Sequence, residues 1–129
     1  MLQAISSGNA DLALPAFFPV VAYAQVKDIP SPERDWEQRL VSAFRRDIAD
    51  YRKKLGDDAA KATLVSVAVP EQSAKLMKPG SEGNRVGYYR VLRSTLHFRV
   101  ADGKEKTLEL TSMISWRGEW YVVHLHGFK

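Results

Sequence analysis

Between Ser31 and Gly56 apolar side chains recur every three or four residues, as Trp36, Leu40, Phe44, Ile48, Tyr51 and Leu55, and this spacing constrains the chain more than any other feature. At about 100° per residue the six fall on one stripe of an α-helix, and a striped helix must bury that stripe against another layer. Ser31 and Pro32 predict the start, with the serine oxygen capping an early N–H and proline placed where no donor is needed. Glu33 and Asp35 suit the positive end of the helix dipole, and Gly56 predicts a left-handed stop. Arg34, Arg39, Arg45, Arg46, Arg52 and Lys53 lie opposite the stripe, on a face read as solvated. No aromatic residues interleave with them to stack on bases, so nucleic acid is not expected as a partner.

The second layer reads as a sheet. Ala62 to Val69 alternates β-branched residues and ends at Pro70. Tyr88 to Val100, a turn at Ala101-Asp102-Gly103-Lys104, Lys106 to Trp116, a turn at Arg117-Gly118, and Trp120 to His126 predict a three-stranded antiparallel meander. The polar stretch from Pro70 to Gly87 is long for a connection, and Ala74, Leu76 and Met77 predict one short helical turn within it. Before the long helix, the pattern predicts a brief helix, a turn at Ser7-Gly8-Asn9 and a second helical turn, with Phe17 and Phe18 plugging one end of the core. The expectation is a single α+β domain over residues 1–129, with N-terminal helices and one long amphipathic helix on a curved antiparallel sheet.

Composition narrows the chemistry. An apolar share of 45% and a charged share of 26% argue against disorder. The chain has no cysteine, which excludes disulfides, thiolate metal sites and a cysteine nucleophile. No run approaches the roughly 20 apolar residues of a membrane span, so no membrane partner is expected. Met1 to Ala10 lacks the basic start and continuous apolar middle of a signal peptide, leaving the compartment open between cytoplasm and an exported form trimmed of its signal. The net charge of +4 permits an acidic partner without requiring one. No phosphate-binding glycine loop or nucleophile elbow occurs, and no cofactor is expected.

The closing phrase Trp116-Arg117-Gly118-Glu119-Trp120-Tyr121-Val122-Val123-His124-Leu125, together with the order of helix, broken helical turn, long helix and meander, resembles the nuclear transport factor 2-like superfamily of cystatin-like folds. The resemblance implies a cone-shaped cavity between sheet and helices, used across that superfamily for isomerases, dehydratases, hydrolases, carriers and dimer formation. Fold alone does not choose among these. No catalytic pattern of an enzyme member matches this chain.

With a one-residue bulge at the Asp102-Gly103 turn, Leu96, Phe98, Leu108, Leu110, Ile114, Tyr121, Val123 and Leu125 share the apolar face of the meander. The other face then carries Arg93, Glu109, Met113, Trp120, Val122, His97, His124 and His126. Tyr51, Arg93, Glu109, Met113, Trp120 and Val122 are the expected ligand pocket. His124 and His126, roughly 7 Å apart on one strand with Glu109 opposite, form a weak candidate for zinc against a reading in which no metal is bound. Asp47, at the edge of the helix stripe, could act as a general base with His97 or His124 in an isomerase or dehydratase. The leading reading is non-catalytic: a domain that binds a small, partly apolar molecule or pairs with protein, including a second copy of itself. The acid/base enzyme and a basic surface for acidic partners are the alternatives.

Overall fold

In the computed structural model, which describes residues 1–125, the chain opens with α1 (Leu2–Ser7), a 3₁₀ segment (Ala10–Ala16) and α2 (Val20–Val26). The predicted long helix follows as α3 (Pro32–Asp35), a π-helical turn (Trp36–Val41) and α4 (Ser42–Leu55). Leu40, Phe44, Ile48 and Tyr51 are buried as the stripe requires, and Val41 is buried beside them. The wide π turn accounts for the adjacent pair Leu40 and Val41 both reaching the core, which a regular turn would set about 100° apart.

Two details of that helix differ from expectation. Ser31 has a φ of 51° and its side chain caps nothing; its carbonyl instead accepts the Asp35 N–H at 3.2 Å. That φ leaves the extended geometry from which a capping hydroxyl reaches back. Gly56 does take a positive φ of 57°, but with ψ at −134° it leads straight into another 3₁₀ segment, Gly56–Lys61.

The basic residues opposite the stripe are exposed, yet three of them bind the chain itself. Arg45 pairs with Asp11, Arg52 donates to the Ile5 and Ser6 carbonyls, and Arg39 pairs with Asp35. The face is thus partly spent on holding the N-terminal segments against α4.

Among the described residues five antiparallel strands form the open sheet: β1 (Thr63–Ala68), β2 (Lys75–Met77), β3 (Tyr88–Arg99), β4 (Glu105–Trp116) and β5 (Glu119–His124). The order is β1-β3-β4-β5, with β2 also pairing with β3. The predicted helical turn at Ala74, Leu76 and Met77 is instead a 3₁₀ turn at Glu71–Ser73 followed by β2. Lys75, Leu76 and Met77 sit opposite Arg90, Tyr89 and Tyr88, so the free edge of β3 satisfies backbone that an isolated helical turn would leave unpaired.

Leu96 faces Leu108 across the β3–β4 hairpin, and Leu96, Phe98, Leu108 and Leu110 are buried, as the alternation predicted. Phe17 and Phe18 close one end of the core. Phe17 packs with its ring tilted at 4.7 Å from Phe44, and Phe18 meets Trp116 and Tyr121 edge-on at 6.2 Å.

The stretch from 78 to 87 is folded on itself around the side chain of Asn84, which is 2% exposed. Its Nδ2 donates to the carbonyls of Lys78 (3.2 Å) and Val86 (2.8 Å), and its Oδ1 accepts the Glu82 N–H (3.0 Å). Main-chain bonds from Asp28 to Gly83 and from Arg85 to Val26 then tie this stretch to the end of α2.

Candidate functional site

Where α2, the π turn, the 78–87 stretch and the meander meet, they enclose a cavity of about 190 Å³. Its apolar wall is Phe18, Val26, Leu40, Leu92, Ile114 and Val123. The polar groups are Tyr23, Lys27, Arg39, Glu82, Tyr88, Arg90, Thr111, Ser112 and His124. Small-molecule sites have this makeup of apolar walls with a few convergent polar groups, although about 190 Å³ lies below the range of roughly 300–1,000 Å³ typical of drug-sized ligands.

A single irregularity puts His124 there. Ser112 pairs with His124 while Met113 pairs with Val122, so Val123 is an extra residue in β5. Beyond this bulge every side chain changes face. His124 consequently shares a face with Ser112 and Leu92, both of which line the cavity, and not with Val122 as the sequence suggested. Thr111 fixes the exit from the bulge, donating from both N–H and Oγ1 to the Leu125 carbonyl at 2.9 and 2.8 Å.

The expected pocket residues fall elsewhere. Val122, 2% exposed, lies in a buried row with Met113 and Val91 on the other face of the sheet, and Trp120 on that face donates to Glu71 at 2.9 Å. Arg93 is exposed, with φ at 62°. Tyr51 and Glu109 border a separate depression, where the Tyr51 hydroxyl donates to the Glu109 carbonyl at 2.6 Å. Met113, Trp120 and Val122 thus share one face of the sheet, as the alternation has it, while the cavity lies on the other face, which carries Leu92, Ser112 and Ile114.

The candidate catalytic residues are not gathered. His124 lines the cavity; Asp47, buried on α4, does not, and His97 sits opposite Thr107 and Ser66 away from it. Of the weak zinc set, Glu109 is exposed opposite Thr95, His124 faces the cavity, and His126 lies outside the described residues. Among the described residues no three His, Asp or Glu side chains cluster in a metal-binding arrangement. No helix among them is long and apolar enough to cross a membrane.

The polar half of the cavity is organised as two carboxylate hubs. Asp35, at its margin, takes the fork of Arg39 at 3.0 and 2.9 Å and the Tyr23 hydroxyl, and the Arg39 bonds, ahead of other causes, hold its carboxyl below the usual range. Glu82 accepts from both Tyr88 and Arg90. Burial first, then the bond to Asp35, pushes the Tyr23 hydroxyl up to about 12; burial and Glu82 likewise raise Tyr88. Both phenols are consequently donors at neutral pH. Lys27 donates to the Glu82 carbonyl at 2.9 Å, and burial lowers its pKa. The sequence places Asp35 at the helix start and Arg39 on a solvated face, and no local pattern joins Lys27, Glu82 and Arg90.

Burial, followed by Arg39 and Arg90, pushes the His124 imidazole down from 6.5 to about 4, against the pull of Glu82. The folded chain keeps it neutral where the unfolded chain has taken up a proton. Stability from this group is therefore complete above about pH 6.5 and declines as pH falls toward 4. Urea midpoints recorded from pH 7.5 to 4.5 should fall with acid, and His124→Gln should flatten that decline. Equal slopes in the two proteins would remove His124 as the cause.

Comparison with protein-family models, with curated proteins and with solved structures finds no match to this chain.

Proposed function

We propose that this chain is a binding domain of the nuclear transport factor 2-like kind, holding a small, partly apolar molecule in the cone between its helices and its curved sheet, without catalysing a reaction on it. The element order supports the family reading. The observation that carries the function is the cavity itself, in which one wall is apolar and the other presents fixed donors whose own acceptors are already in place. Asp47 is not among the residues lining that cavity, which favours the binding reading over the acid/base alternative.

Native mass spectrometry of protein purified from cells, compared with the denatured mass, tests this reading. A retained small molecule is expected, and it should be lost in Leu92→Trp, which fills the cavity from a half-exposed rim position. Retention of the same molecule by Leu92→Trp would place binding elsewhere. The same spectrum reports self-association, the second role proposed for the open sheet, whose edge strand β1 exposes Leu64, Val65 and Val67.

A further inference from the structure

Three cations line the cavity, and they are not equivalent. Arg39 presents its fork to Asp35, and Arg90 is paired with Glu82. Lys27 has no carboxylate within ion-pair distance among the described residues, and its ammonium, with three donors to place, makes one hydrogen bond, to the Glu82 carbonyl. It is half-buried at the end of α2, beside the apolar wall formed by Val26 and Leu40. A partly desolvated ammonium with open donor positions is costly unless something accepts from it.

Resting on the binding reading above, we infer that the cavity selects a carboxylate: a compact apolar acid whose carboxyl group takes the open donor positions of Lys27 while its body lies against Val26, Leu40, Ile114 and Val123. The monoanion follows from the pairing. The two guanidinium groups already hold carboxylates, so the surplus is one point charge and not the multiple forks a phosphate dianion recruits. The size follows from the volume: about 190 Å³ suits one ring or a short branched chain. Tyr23 and Tyr88, spent on Asp35 and Glu82, hold the hubs in place and leave Lys27 to make the distinction.

The test uses benzoate and its neutral isostere benzamide, titrated by calorimetry at low salt into the whole protein, into Lys27→Met, into Lys27→Arg and into Leu92→Trp. Benzoate should bind about tenfold or more tightly than benzamide, the discrimination expected of a charge-assisted hydrogen bond. Lys27→Met should erase that preference, Lys27→Arg should keep part of it, and Leu92→Trp should abolish binding of both. Unchanged thermal midpoints for the two lysine variants separate this from unfolding. Equal affinity for the two compounds, with both lost in Leu92→Trp, would overturn the carboxylate while preserving the cavity; failure of both to bind would overturn the cavity reading as well. Persistence of the benzoate preference in Lys27→Met would move the anion to another cation.

Discussion

Phe17→Ala should destabilise the fold by about 3–5 kcal/mol, the range for deleting a fully buried aromatic ring. Phe17 is 1% exposed and packs at 4.7 Å from Phe44 and 6.0 Å from Trp36. It also forms a parallel bridge with Val122, and the next residue, Phe18, donates its N–H to the Val122 carbonyl at 2.9 Å. One side chain thus sits where the N-terminal segment, the long helix and β5 converge. Its removal leaves a void bounded by three elements that cannot all move inward, so little of the loss is recovered by collapse. Against a total of about 5–15 kcal/mol for a domain of this kind, such a loss should move the urea midpoint far to the left. A shift worth under about 1 kcal/mol would mean that the ring is not where the three elements lock together.

Asn84→Ala should cost about 2–4 kcal/mol and act on the cavity as well as on stability. The Asn84 amide bonds the 78–87 stretch to itself, and its removal takes a part-buried partner from the Lys78 and Val86 carbonyls and from the Glu82 N–H. The Gly80 N–H accepted by the Asn84 carbonyl and the pairing of Lys27 with Asn84 are main-chain interactions that survive the substitution, so the stretch should loosen and not detach. Glu82 lies in that stretch and anchors Tyr88, Arg90 and Lys27. Hydrogen exchange should consequently quicken at residues 78–87 and at the end of α2, with β3 and β4 near 96–110 unchanged. Uniform quickening across the whole sheet would show that Asn84 supports the global fold and not one rim of the cavity. Asn84→Asp, which keeps the acceptor and loses the donors, divides the effect between the Glu82 N–H and the carbonyls.

The parts of the molecule legible in the sequence are those whose periodicity is a local property. Trp36 to Leu55 could only be one striped helix, and the alternation of Leu96, Phe98, Leu108 and Leu110 set the inner face of the central hairpin before any contact was known. Phe17 and Phe18 were readable as core because two adjacent large aromatics after a broken helix have nowhere else to go. The misreadings arise where a partner from afar overrode a local preference. Lys75, Leu76 and Met77 form a strand because β3 offers an edge.

The candidate site was legible only in its kind of chemistry. His124 was recognised as a residue of interest, yet it was put in company with Val122 and Glu109, because consecutive apolar residues at Val122 and Val123 hide which of the two is the extra one in the ladder. Sequence by itself determined an α+β domain, a striped helix, an antiparallel meander and the absence of cysteine chemistry, since each follows from composition or from neighbours within a few positions. Only the tertiary structure decided that His124 turns into the cavity, that Arg39 reaches the Tyr23 hydroxyl, 16 positions away, and that Lys27 lies beside Glu82, 55 positions away, with donors to spare. The physical reason is the period of a strand: a bulge of one residue exchanges its faces, and whether that residue bulges depends on the strand beside it.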